Sequence, residues 1–195
     1  HAAGLEERVR TGRPLDRVAS VASFFVSRID TAIDKEIDRR VAEGDPESDA
    51  LKALRGKVAI ANAKMAYQWY LDFVKSDRWR ALAAKGAQPQ RLLWASTGTK
   101  DKAYPDTLYV DALIGPDTVN TMPPQTMDAF RDHGAVADTL TADVDGARRV
   151  LAEAERLGLD LDAVTDRLVD EGVASCVKSF DDLLGSIAAK HPVDA

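Results

Sequence analysis

The stretch VASFFVSRID, Val21 to Asp30, decides how this chain is read. Its first half is apolar or small throughout and reads as a buried strand; its second half opens a helical period. Arg28 then falls at the start of a helix, where the first-turn amides carry the positive end of the helix dipole and disfavour a cation. Two readings account for it. Either Arg28 reaches back into water, or an anion belongs between its guanidinium and those amides. Ser27 and Asp30 are spaced as a capping box, with Ser27 accepting from a first-turn amide and Asp30 reaching back to the cap. A cap is a sufficient explanation of the segment, and a bound anion is compatible with it. Ser23 likewise has two readings, a small residue filling a crowded sheet face or a hydroxyl at a pocket floor.

Working outward, three short stretches read as strands: Arg17 to Phe25, Arg91 to Ser96 (RLLWAS) and Asp117 to Met122 (DTVNTM). Between them the period becomes helical. Ile29, Ile33, Ile37 and Val41 recur every fourth residue. Leu51, Leu54, Val58, Ala61, Met65, Trp69 and Phe73 predict one long amphipathic helix, and PPQTMDAFRDHG a short one. A stripe from Val144 to Leu157 starts at Thr141 and stops at Gly158, followed by segments over Leu161–Glu171 and Val173–Ile187. Cys176 falls on the apolar side of the last and is expected in a core. Strands separated by long crossovers imply parallel pairing and an α/β fold, because tight hairpins cannot close parallel pairs.

One domain over 1–195 is the economical division: 1–14 a frayed helix end or linker, 15–140 three βα units, 141–195 helices. Three strands are few for a complete α/β domain, and two open sheet edges invite aggregation unless covered. The chain begins with His1 and not methionine. A portion of a larger sheet is therefore expected.

Composition narrows the partners. The 195 residues are 45% hydrophobic, enough for a sizeable core. With 26 basic against 32 acidic residues the net charge is −6, which argues against nucleic-acid binding but allows a local anion site. A single cysteine excludes an intrachain disulfide and fits a cytoplasmic protein. No apolar run approaches the ~20 residues of a membrane span.

The second stretch with chemical content is WASTGTKD, Trp94 to Asp101. Small hydroxyl residues around Gly98 suit an anion nest, and Lys100 supplies a point charge. Alone this is a weak signal. Two such turns at the C-terminal ends of two parallel strands say more, because α/β sheets and barrels bind ligands there. The three histidines lack metal-ligand spacing, and Tyr67, Trp69, Tyr70 and Trp79 fit helix packing.

SVASFFVSRID, LRGKVAIANAKMAYQWY, LWASTGTKDKAYPDTLYV and IGPDTVNTMPPQTMDAFRDHG, in this order, resemble successive segments of transaldolases of the actinobacterial and cyanobacterial form. The resemblance covers about Leu15 to Ala189. It implies a (β/α)₈ TIM barrel, of which this chain would supply strands six to eight and a helical tail, the C-terminal half. It also implies transfer of a dihydroxyacetone unit from a ketose phosphate (sedoheptulose 7-phosphate or fructose 6-phosphate) to an aldose phosphate, through a lysine Schiff base, in the pentose phosphate pathway. Cofactors: none are implied, because the iminium serves as the electron sink. SFFVSR is similar to the family's Ser-Pro-Phe-Val-Gly-Arg segment, which makes Ser23 a substrate-site hydroxyl and Arg28 a phosphate-binding arginine. In ASTGTK, Ser96 matches a family serine, and Lys100 stands in for an arginine at a later position of a rearranged loop. The Schiff-base lysine belongs to an Ile-Lys-Ile-Pro-like context that nothing here resembles, so no catalytic residue is assigned. Sugar phosphates are the expected partners, with the missing N-terminal half or a second copy completing the barrel.

Overall fold

The computed structural model describes residues 1–190, which divide into two compact units, 1–159 and a second beginning at Asp160. In the first, β1 (Val21–Phe25), β2 (Arg91–Ala95) and β3 (Thr118–Thr121) form a parallel sheet in the order β1-β2-β3. All three lie inside the predicted stretches. The register sets Ser23 opposite Leu93, Phe25 opposite Ala95, and Ala95 opposite Thr121. The chain is therefore mixed α/β around a small parallel sheet.

Alternation along β1 gives the sheet two unequal faces. Phe24 is half-buried and meets the fully buried Trp94 edge-on, with ring centroids 5.7 Å apart. Val21 and Phe25, on the opposite face with Ser23, are 40% and 47% exposed. The fully buried strand expected from the sequence is thus buried on one side only.

The helices of the first unit are α1 (Ala2–Arg10), α2 (Val26–Ala42), α3 (Ser48–Leu54), α4 (Val58–Lys75), α5 (Asp77–Ala83), α6 (Leu108–Ala112), α7 (Pro124–His133) and α8 (Val144–Arg156). Their positions follow from where apolar residues recur. Helix α2 buries Ile29, Ile33 and Ile37 and packs on α3 and α4. Helix α8 lies on α4, burying the small side chains of Ala147 and Ala154, and Asp143 caps it through the Gly146 amide. This cap replaces the expected start at Thr141. The opening segment is no frayed end: α1 buries Leu5 against Leu15, Trp79 and Leu82.

Two predicted helices are divided differently in the structure. The run from Leu51 to Phe73 is two helices, because Arg55 is extended and Gly56 adopts φ +67°, a left-handed conformation that glycine tolerates without strain. Conversely, Leu161–Lys190 is one continuous helix, α9, through Gly172. Helix α9 buries no residue, and Val173, Val177, Phe180, Leu184 and Ile187 are about half-exposed. Cys176 is exposed with them, which overturns its expected core position. The physical reason is that a lone helix has nothing in its own unit to cover its apolar stripe. Among the described residues, no helix is long and apolar enough to cross a membrane.

Candidate functional site

The C-terminal ends of the three strands are tied together by polar contacts. At the end of β1 the chain enters α2 directly, with Phe25 in the cap position and no side chain capping the helix. The expected capping box is absent. Ser27 already lies in the first turn, its hydroxyl buried without a hydrogen-bond partner, while its amide donates to the Ser96 carbonyl at 3.0 Å. That bond joins the turn after β1 to the turn after β2. Asp30 is turned away from the cap altogether, into the layer behind the sheet.

Arg28 is the third residue of α2, exposed, with its guanidinium carbon 4.7 Å from the centre of the Phe25 ring. This cation–π contact steadies the cation, and among the described residues its N–H groups donate to no protein acceptor. Ser23 lies two residues upstream of Phe25 on the same exposed strand face.

After β2, Ser96 takes a left-handed backbone at φ +54°, uncommon for a residue with a side chain. Thr97 is fully buried, and its hydroxyl donates to Asn120 Oδ1 of β3 at 2.7 Å. Gly98 faces the start of α7 so closely that a Cβ there would stand 3.2 Å from the Thr126 hydroxyl and 3.3 Å from Pro123. Lys100 follows, exposed. Among the described residues neither Arg28 nor Lys100 has a carboxylate within salt-bridge distance, and no hydrogen bond connects Lys100 to Ser23 or Arg28. Unpaired surface cations are common. What distinguishes this pair is their position, on two joined turns at the same end of a parallel sheet.

Behind these turns runs a second set of polar residues, among them Asp30, which has capping-box spacing from Ser27. Asp30 and Asp34, one helical turn apart on α2, are both buried. Asp30 accepts from the Ala59 amide at 2.8 Å and the Tyr109 hydroxyl at 3.0 Å. Burial raises its pKa to about 6, against the opposing pull of those two donors and with a smaller push from the Asp34 charge. Asp34 accepts from the Tyr104 hydroxyl at 2.6 Å and the Gly56 amide at 3.3 Å, and burial raises its pKa too. Tyr109 and Tyr104 are held well above the usual phenol range, first by burial and then by the carboxylates they face. A sequence signal for this layer exists. Each acid follows a core isoleucine (Ile29-Asp30, Ile33-Asp34, Ile37-Asp38), which places it about 100° round the helix, at the margin of the buried face.

Nothing in this geometry resembles a metal centre: among the described residues no cluster of three His, Cys, Asp or Glu side chains has metal-binding placement. A parallel sheet with cations and hydroxyls at its strand ends can hold an anion.

Comparison with known proteins gives that geometry a family. Residues 3–187 match the family model described as Transaldolase/Fructose-6-phosphate aldolase. Among curated relatives, the chain is 50% identical over 192 residues to Transaldolase 2 of a Nostoc species, covering 96% of this chain and 50% of that protein. It is 50% identical over 187 residues to the transaldolase of Thermobifida fusca, covering 95% of this chain and 49% of that protein. The transaldolase of a Parafrankia species is 52% identical over 186 residues, 94% of this chain and 48% of that protein. The chain thus spans about half the length of the curated relatives it matches. With the family model matched across nearly all of its length, the chain belongs to the Transaldolase/Fructose-6-phosphate aldolase family.

Proposed function

We propose that this chain is the sugar-phosphate-binding half of a transaldolase, a transferase that moves a dihydroxyacetone unit between sugar phosphates through a lysine Schiff base. The observation that carries the reading is the Ser27 amide to Ser96 carbonyl bond, which joins the two strand-end turns bearing Arg28 and Lys100 and so supports their serving one site. In this reading β1, β2 and β3 are the sixth, seventh and eighth strands of a (β/α)₈ barrel. The exposed face of β1, with Val21, Ser23 and Phe25, supports it, because barrel strands need cover on both faces.

Each residue then has a task. Arg28, oriented by Phe25, donates to phosphate oxygens as a fork, and Lys100 adds a point charge. Ser23, on the uncovered face, offers a hydroxyl to the substrate chain, and Ser96 shapes the loop through its left-handed backbone. Remote binding of the phosphate holds the ketose so that its carbonyl meets the amine in a productive pose. In the chemical steps the amine adds to the carbonyl, water leaves, and the iminium takes up the electron pair of the breaking carbon–carbon bond. The lysine that does this lies outside the residues of this chain, and the half of the barrel that supplies it is the partner the sheet requires.

Two measurements on the full-length enzyme test this. Arg28→Ala and Lys100→Ala should each raise KM for fructose 6-phosphate about 10- to 100-fold, the equivalent of one charge-assisted hydrogen bond. Unchanged KM in both variants sinks the phosphate assignment. Borohydride trapping with the same ketose should label a lysine outside residues 1–195. An adduct on Lys57, Lys64, Lys178 or Lys190 would place the chemistry in this chain instead.

A further inference from the structure

The loop carrying Lys100 is fastened to the helix carrying Arg28 by side chains other than the four candidate site residues Ser23, Arg28, Ser96 and Lys100. Asp101, the residue after Lys100, accepts from Arg55 Nη2 at 2.9 Å through one carboxylate oxygen. Its other oxygen accepts the Ala103 amide at 2.9 Å, and its carbonyl accepts the Tyr104 amide at 3.2 Å, so the segment from 101 to 104 is a closed turn. Arg55 also pairs with Asp38, the third acid of the α2 series. Three residues on, the Tyr104 hydroxyl reaches the buried Asp34 at 2.6 Å. The Tyr104 ring lies over Gly56, where a Cβ would stand 2.9 Å from it, so the glycine that breaks the α3–α4 run is also the floor of this contact.

We propose that Asp34, Arg55 and Tyr104 form a two-point strap that holds the Lys100 loop against α2 and sets the separation of the two cations, making them positioning residues for the phosphate site. The inference rests on the phosphate reading of that loop. Three features set the strap apart from ordinary surface pairing. Asp34 is 7% exposed, so its contact with Tyr104 is made out of water, and breaking it leaves one buried carboxylate oxygen without its donor while the other keeps the Gly56 amide. Arg55 bridges two acids from different segments, which fixes its fork in one orientation. Both contacts end on α2, that of Tyr104 directly at Asp34 and that of Asp101 through Arg55 at Asp38, and α2 is the helix whose first turn presents Arg28. A shift of the loop relative to α2 is therefore a change in the distance over which one phosphate must be gripped, and about 1 Å is enough to weaken binding.

The test uses the full-length enzyme with Tyr104→Phe, which removes only the hydroxyl, and Arg55→Ala, which removes the second anchor. Hydrogen exchange reads the strap directly: amides of residues 97–104 should exchange about tenfold faster in each variant, while those of α4 stay unchanged. KM for fructose 6-phosphate should rise about three- to tenfold with kcat within twofold, and kcat/KM for unphosphorylated fructose should not move. Arg55→Lys, which keeps one charge-assisted contact, should recover part of the loss. Unchanged exchange in both variants overturns the strap. Faster exchange with unchanged KM overturns the positioning role, provided Arg28→Ala and Lys100→Ala do raise KM. If those two are also without effect, the phosphate reading fails and the positioning role fails with it. Equal losses with fructose and its phosphate would assign the contacts to general stability and overturn the proposal.

Discussion

The turn after β1 and the turn after β2 present similar chemistry and are built in opposite ways. The first is short and rides on a helix: Phe25 passes directly into α2, no side chain caps it, and Arg28 is steadied by the ring of the residue before the helix. The second is a long irregular loop held by tethers, with Thr97 on Asn120, Gly98 against α7, Asp101 on Arg55 and Tyr104 on Asp34. A helix is rigid through its own hydrogen bonds, whereas a loop borrows rigidity from its neighbours. The first turn should therefore be sensitive to local changes and the second to distant ones.

The largest expected effect comes from what the two turns share. Trp94 is fully buried between their strands' side chains, edge-on to Phe24 of β1 and one residue before Ala95 at the end of β2. Trp94→Ala should cost about 3–5 kcal/mol of unfolding free energy by urea denaturation, and it should loosen both turns together. A loss confined to the second turn, read by exchange at residues 97–104 alone, would show that β1 and α2 stand without it.

Next in size is a pH effect that belongs to the layer behind the first turn. Asp30 titrates near its ordinary 3.8 when the chain is unfolded and at about 6 when folded, chiefly because burial disfavours its charge. Between those values the folded chain keeps a proton the unfolded chain has released. The resulting stabilisation is fully present below pH 3.8 and is lost as pH rises through about 6, a change of about 3 kcal/mol for a shift of this size. Asp34 titrates in the same direction nearby, so the informative quantity is the difference from Asp30→Asn. Unfolding free energy of the variant should fall less between pH 4 and 7 than that of the parent; parallel curves would remove Asp30 as the source.

The smallest effect separates the turns. Phe25→Leu keeps an apolar side chain but removes the ring under Arg28, worth about 0.5–1 kcal/mol at an exposed site, so KM for fructose 6-phosphate should rise about two- to fivefold. Exchange in the second turn should not change. If it does, the Ser27–Ser96 bond transmits the loss and the two turns are one mechanical unit.

Much of this was legible in the sequence because it depends on neighbours along the chain. Short apolar runs bounded by polar or turn residues located the three strands, a period of four located the core stripe of α2, and the segments from SVASFFVSRID onward carried the family. Local patterns mislead where distant partners compete with them. The Leu51–Phe73 period is unbroken in the sequence, yet Gly56 turns left-handed beneath Tyr104. The spacing of Val173 to Ile187 predicts a buried face, and Cys176 with it, but burial requires a second surface and α9 has none in its own unit.

By itself, then, the sequence determined the strand-to-helix passage at VASFFVSRID, the parallel α/β class and the residues at the strand ends, all consequences of short-range steric and hydrophobic patterning. Only the tertiary structure decided what Ser27 and Asp30 do. Their spacing satisfies a capping box, and local hydrogen bonding would favour it. Asp30 instead meets Ala59 and Tyr109, 29 and 79 residues away, while the Ser27 amide meets Ser96. A buried carboxyl group needs donors for its oxygens, which Ala59 and Tyr109 supply, and no local pattern records where those donors will stand.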